Sequence, residues 1–299
     1  MTSATSATSQ PYGIAPPGYR LPDETKVGRV RLQVSNLARS LAWYEQVLGL
    51  RAISRDDQVV TLAGHGDDAP LVVLHERAGA NPVPRRGRLG LYHFAILLPD
   101  RASLARFVAH LGAIGVRAGM SDHLVSEAIY LNDPDGLGIE VYADRPRATW
   151  RHEARQLEMA TEPLDVADLL TAGGGVPWRG MPAGTVMGHV HLHVGDIARA
   201  DAFYHAALGF DRVVWSYPGA LFLSAGGYHH HLGTNTWAAG AAPAGDDDAR
   251  LLSWELVLPS GGDVDAAADS LAHAGYEVTR ENGAATVRDP WGTVLRLTA

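Results

Sequence analysis

The strongest constraint on how this chain can fold is that it repeats itself. Gly28 to Leu50 reads GRVRLQVSNLARSLAWYEQVLGL, and Gly188 to Phe210, offset by 160 residues, reads GHVHLHVGDIARADAFYHAALGF. The offset persists: Leu98-Pro99 is answered by Leu258-Pro259, and Leu111 and Gly115 by Leu271 and Gly275. Near the two ends, Asp133-Pro134-Asp135-Gly136 corresponds to Asp289-Pro290-Trp291-Gly292. A duplication of this kind means that one supersecondary unit recurs.

Each half divides again into two similar units, an alternating strand, an amphipathic helix and further strands. Val30, Leu32 and Val34 share one face of the first strand while Arg29, Arg31 and Gln33 share the other, the period-two pattern of a half-buried strand. Its helix starts after Ser35-Asn36, and Gly49 is placed to end it. The second, third and fourth units open at Tyr92–Leu98, His189–Val194 and Ser253–Leu258, with helices near Ser103–Leu111 in the second and Asp263–Ala274 in the fourth. Four βαβββ modules predict an α+β protein with two curved mixed-sheet barrels and helices outside. The expected division is a flexible tail over 1–26, a first domain over 27–145, a linker over 146–185 and a second domain over 186–299. The linker holds a short helix near Val166–Leu170 and the breaker Gly173-Gly174-Gly175. In such sheets the helices cover one face and the polar face lines a wet interior. Inward positions of the opening strands are therefore where chemistry is expected.

Charge and composition remove several classes. The formal net charge of −8 and the lack of a basic stripe speak against a nucleic-acid partner. With no cysteine there is no disulfide scaffold, thiolate metal site or cysteine nucleophile. The first 22 residues lack the basic and apolar regions of a signal peptide, and no apolar run reaches the roughly 18 residues of a membrane span. The expectation is a cytoplasmic protein without a membrane partner.

Fourteen histidines remain to be placed. His189, His191 and His193 alternate with Val190, Leu192 and Val194, so all three imidazoles face away from the helix side. His93 alternates against Phe94, Ile96 and Leu98, and Glu140 lies between Ile139 and Val141 just after the Asp-Pro-Asp-Gly turn. A carboxylate flanked by apolar strand residues needs a partner when buried, and a metal is one. Two neutral imidazoles and one carboxylate make a facial triad with open positions, as in non-heme iron(II) oxygenases. A single strand histidine is more often a hydrogen-bonded core or surface group. What favours the ligand reading is the recurrence of one inner position in a duplicated fold.

The stretches GLYHFAILLPD, SDHLVSEAIYLNDPDGLGIEVYADRPR, GHVHLHVGD and LSAGGYHHHLGTNTW resemble the vicinal oxygen chelate superfamily. That family includes glyoxalase I, fosfomycin-resistance proteins and extradiol ring-cleaving dioxygenases, and these stretches are close to its bacterial two-domain catechol 2,3-dioxygenases. The resemblance covers the chain from about Val27 to its end, apart from much of the linker. It implies metal ligation by His93, Glu140 and His189. Arg29 holds the equivalent place in the first unit, and Ser253 and Arg296 in the fourth, so the ligands meet only if units two and three share a barrel, within one chain or across a dimer. It further implies catalytic roles for His123, for Tyr130 and for His230, the last with a register uncertainty of one residue between His229 and His231. Tyr130 could otherwise be a buried strand aromatic, and the three consecutive histidines a weak adventitious metal binder.

The expected activity is extradiol cleavage of a small aromatic diol by O2 at a mononuclear Fe(II) site, with Mn(II) a substitute and a homo-oligomer admissible. The alternatives are a glyoxalase-like metal-dependent isomerase, for which Arg29 or Ser253 would be a poor fourth ligand, and a non-enzymatic binder of a small aromatic ligand.

Overall fold

The computed structural model describes residues Tyr12–Ala299. Unit one comprises β1 (Lys26–Val34), α1 (Leu37–Trp43), β2 (Arg51–Arg55), β3 (Val59–Ala63) and β4 (Pro70–Glu76). Unit two comprises β5 (Gly90–Leu97), α2 (Arg101–Ala113), β6 (Gly119–Asp122), β7 (Ser126–Asn132) and β8 (Gly138–Asp144). A connecting segment carries β9 (His152–Glu153), β10 (Gln156–Leu157) and α3 (Val166–Ala172). Unit three is β11 (Val186–His193), α4 (Ile197–Asp201), β12 (Asp211–Val214), β13 (Ala220–Ser224) and β14 (Leu232–Asn235). Unit four is β15 (Arg250–Val257), α5 (Gly261–His273), β16 (Val278–Glu281), β17 (Ala284–Arg288) and β18 (Val294–Thr298).

The helix starts, the one expected after Ser35-Asn36 among them, are set by side-chain caps. Asn36 accepts from the Arg39 N–H, Asp100 from Ser103, and Asp196 from Arg199. After Trp43 the first helix widens into π turns over Tyr44–Leu48 before Gly49 ends it at φ +73. The third unit repeats the widening over Ala202–Ala207.

The strands form two eight-stranded mixed sheets of an α+β fold, and each draws on both halves of the sequence. One runs β12-β13-β14-β11-β5-β8-β7-β6 and joins units two and three. The other runs β16-β17-β18-β15-β1-β4-β3-β2 and joins units one and four. The junctions are antiparallel, β5 against β11 and β1 against β15, with His93 opposite His191 and Arg31 opposite Ser253. The apolar set of each opening strand, Val30, Leu32 and Val34 in β1 and Val190, Leu192 and Val194 beside β11, is fully buried in the core beneath the helices. That burial fixes the register, because a one-residue slip would turn every polar side chain into the core.

Two expectations need correction. The tail expected over 1–26 lies partly outside the described residues, but from Tyr12 onward the chain packs. Tyr12 donates to the Gly227 carbonyl at 2.8 Å, Ile14 and Arg212 exchange backbone hydrogen bonds, and Leu21 is buried with its N–H on the Gly209 carbonyl. Leu21 and Tyr12 supply apolar surface that a Pro- and Ser-rich reading underweights. The 146–185 segment is likewise more than a spacer, since Met159, Ala160 and Thr161 line the cavity described below.

Candidate metal centre

The site lies on the concave face of the sheet shared by units two and three. Glu140 is carried there by the Asp-Pro-Asp-Gly turn. Asp133 Oδ1 accepts from the Asp135 and Leu137 N–H groups, each at 2.9 Å, and this fixes where β8 begins. Gly138 lets β8 lie close to β5: a Cβ there would stand 2.0 Å from the Tyr92 carbonyl oxygen. The register then places Ala95 between His189 and Glu140, and its methyl group leaves the space between them free.

His93 Nε2 lies 3.0 Å from Glu140 Oε2, and His189 Nε2 lies 3.2 Å from the same oxygen. All three donor atoms fall within 4.8 Å of one another, and all three residues are buried. The His93 Nε2 contact meets the distance of a hydrogen bond but not its direction, so that buried nitrogen has no hydrogen-bond partner. Donors spaced about 3 Å apart suit bonds of about 2.1 Å at right angles to one ion. The donor set, two imidazoles and a carboxylate, suits a divalent transition metal with open positions. The residues present fit such an ion.

Burial lowers the His189 pKa to about 4, and burial alone would push the Glu140 carboxyl up, but the facing imidazoles hold it well below the usual range. The pair is therefore a carboxylate facing an imidazole that has lost its proton well before neutrality. Burial likewise lowers His191 and His230 strongly and takes His231 to about 3. Folded-state pKa values below the unfolded one mean that acid favours the unfolded chain. The stability these rings contribute is intact above about pH 6.5 and drains as pH falls toward 4, because each tenfold difference in proton affinity between unfolded and folded chain is worth about 1.4 kcal/mol. The metal-free protein is thus expected to melt several degrees lower at pH 5 than at pH 7.5, measured by thermal unfolding in chelator. A flat profile would mean that these imidazoles are hydrated.

The three other expected site residues flank the triad. His123 Nδ1 lies 2.6 Å from the Ala160 carbonyl and His123 Nε2 lies 2.6 Å from the Tyr130 hydroxyl. A carbonyl only accepts, so Nδ1 carries the proton and the Tyr130 O–H donates to Nε2. Tyr130 is paired in register with Glu140 on the neighbouring strand. Burial, then the Glu140 charge, raises its pKa well above the ordinary value. On the opposite flank the His230 ring packs 4.1 Å, centroid to centroid, from His189.

His230 belongs to a chain of hydrogen bonds that the sequence did not reveal. His229 Nε2 lies 3.0 Å from Asp144 Oδ1, and His229 Nδ1 lies 2.7 Å from His230 Nδ1. The carboxylate accepts from His229 Nε2–H; the other His229 nitrogen then accepts from His230 Nδ1–H, and His230 Nε2 is left with its lone pair. His191 and His193, which share the face of His189, are held by Asn235 instead. Its Oδ1 lies 2.7 Å from His193 Nδ1 and its Nδ2 is 3.0 Å from His191 Nε2. No periodicity singles out Asp144, which ends a strand, or Asn235, one of several polar residues near its own.

The flanks enclose a cavity of about 370 Å³ over the triad, walled by Tyr92, Tyr217, Phe222 and Trp237. This is the size and aromatic character of a small-molecule site. The corresponding position on the third unit's last strand is Gly233, parallel to His191 as Glu140 is to Ala95. Gly233 supplies no fourth donor. No helix among the described residues is long and apolar enough to cross a membrane.

Comparison with known proteins shows the family. The chain is 43% identical over 272 residues to the catechol-2,3-dioxygenase of Bacillus subtilis (strain 168), an alignment spanning 90% of this chain and 95% of the relative. A shorter stretch of 117 residues, 36% of this chain and 83% of the relative, is 32% identical to the lactoylglutathione lyase of Neisseria meningitidis serogroup A. Among solved structures, one from Bacillus subtilis subsp. subtilis str. 168 assigned as a dioxygenase superposes with a TM-score of 0.63 at 15% identity, over 93% of this chain and 86% of that one. Glyoxalase I from Zea mays superposes at 0.53 and 18% identity, over 92% of each. At such identities the two structures speak for the fold alone. The family model described as the Glyoxalase/Bleomycin resistance protein/Dioxygenase superfamily matches residues 26–141 and 186–297, one stretch in each repeat, and the chain belongs to that superfamily.

Proposed function

We propose that the protein is an extradiol dioxygenase that opens a catechol-type aromatic ring with O2 at a mononuclear Fe(II) centre held by His93, Glu140 and His189, where Mn(II) would also fit. The observation that carries this reading is a three-donor site with no fourth protein ligand among the described residues, set beneath an aromatic-walled cavity between His230 and the His123–Tyr130 pair. An ion bound there would acidify the phenolic oxygens and bring diol and O2 together. Both oxygen atoms enter the product, one carbon–carbon bond beside the diol breaks, and no outside reductant is consumed.

The chain's own groups orient the ring and move protons. Tyr92, Phe222 and Trp237 offer aromatic faces against which a flat ring can lie. A proton leaving the diol has two nearby acceptors, His230 Nε2 on one side and His123 Nε2, reached through the Tyr130 hydroxyl, on the other. The same groups can return it to the product. A glyoxalase-like isomerase would want a further protein ligand, and Gly233 occupies the place from which the symmetry would supply it.

The test is anaerobic reconstitution with Fe(II), then oxygen uptake over a panel of catechols. The expected result is one O2 consumed per diol, with the yellow absorbance of a ring-opened product. Tight diol binding without oxygen uptake at full iron occupancy would replace the dioxygenase by a binder.

A further inference from the structure

The second sheet repeats the geometry of the first with its charge reversed. By register, Arg29 stands where His189 stands, Ser253 where His93 stands, and Arg296 where Glu140 stands. Glu255 occupies the place of Ala95, and both of its oxygens lie 2.9 Å from Arg29 Nε. That pair is neutral. Arg31 lies on the same face, two residues along β1, with its nearest guanidinium nitrogen 4.0 Å from the already engaged Glu255. The Arg296 side chain makes no ion pair or hydrogen bond among the described residues.

This is unusual for the molecule. Arg29, Arg51, Arg88, Arg101, Arg145 and Arg212 have side chains 31–35% exposed, and each has a carboxylate within 3.1 Å. Arg31 is 31% exposed and lacks one. Among the described residues Arg296 and Arg106 are half-buried without a carboxylate partner, and Arg31 has only the long 4.0 Å contact to a Glu255 already held by Arg29; Arg106 stands by itself on α2. Residues 1–11 contain neither Asp nor Glu and bring no side-chain carboxylate. A partly buried guanidinium without a counter-charge is costly, and two on one concave face add mutual repulsion. Burial first, then Arg29 and Arg296 nearby, lower the Arg31 pKa, against the opposing pull of Glu255.

We propose that this face binds a small doubly charged oxyanion, a phosphate or a dicarboxylate, between Arg31 and Arg296. The two residues lie on β1 and β18 with β15 between them and two residues out of step along it, about 12 Å apart at the backbone. Arg31 faces Ser253 across the sheet and Arg296 faces Glu255, so an anion shared by both guanidinium forks would sit over the short Ser253 side chain, beside the Glu255 carboxylate that Arg29 already neutralises. Paired forks on one oxyanion are among the strong charge-assisted arrangements. Thr286, in register with Arg296, and His75, on β4 with a buried and unpartnered Nε2, flank the space with further donors. The ligand is distinct from the diol, because the face belongs to the other sheet and shares no residue with the metal centre.

The experiment is calorimetric titration of the full chain with inorganic phosphate and, in a separate arm, succinate, at fixed ionic strength with chloride and acetate as controls. Saturable binding of either dianion, weakened tenfold or more in both Arg31→Gln and Arg296→Gln, is the expected result; which arm saturates identifies the source. Thr286→Glu guards against a misfolded variant: it leaves both arginines in place and sets a carboxylate beside Arg296. It should abolish dianion binding and raise the melting temperature. No saturable binding by the unaltered chain, or binding unchanged in these variants, overturns the site.

Discussion

Glu140→Ala is expected to abolish metal retention and, with it, oxygen uptake. Glu140 is the single anionic donor of the three, and both imidazole Nε2 atoms converge on its Oε2 at 3.0 and 3.2 Å. Without it two neutral nitrogens remain, too few donors and no counter-charge to retain a divalent ion against water. Loss of an outer hydrogen-bond partner alone typically costs about 10–100-fold in metal affinity, so loss of the charged donor should exceed that range. Glu140→Gln keeps the volume and one oxygen donor and should fall between the two. The measurement is metal content after exhaustive dialysis, with far-UV circular dichroism to show that β8 still forms. A folded Glu140→Ala protein with full metal occupancy and full oxygen uptake would remove Glu140 from the centre.

Glu140, His93 and His189 were legible because strand alternation decides which face a side chain takes, and burial of the apolar partner residues locks that choice. Which strands meet was harder. Pairing β5 with β11 joins residues about 100 positions apart, and nothing local in either strand encodes it. The pairing follows instead from chemistry, since three ligands must reach one ion. Local patterning said little where backbone is irregular. Residues 225–231 form no strand, so period-two counting could not separate His229 from His230, although their roles differ by one hydrogen bond. The Ala160 carbonyl that orients His123 belongs to a stretch that reads as a connector, and a backbone carbonyl carries no sequence signal at all.

His230→Ala should lower turnover by about 10²–10⁴-fold with the metal still bound, the usual worth of a general acid–base group. The rings of His230 and His189 touch at 4.1 Å, yet His230 is not among the three converging donors, which separates its effect on turnover from any on occupancy. The same chain of hydrogen bonds makes a finer prediction about Asp144. Its carboxylate fixes the proton on His229 Nε2, which makes His229 Nδ1 an acceptor and leaves His230 Nε2 bare toward the cavity. Asp144→Asn offers an amide that can donate to His229 as well as accept from it, so the opposite tautomer becomes populated and His230 Nε2 is protonated in part of the molecules. Turnover per bound metal should then fall by about tenfold or more, while KM and metal content change little, since no ligand and no cavity wall has been touched. His229→Ala should match or exceed that loss. If His230→Ala sheds its metal, His230 is a ligand and not a proton acceptor. If Asp144→Asn turns over at the unaltered rate, the imidazole is oriented by packing against His189 and Phe222 alone.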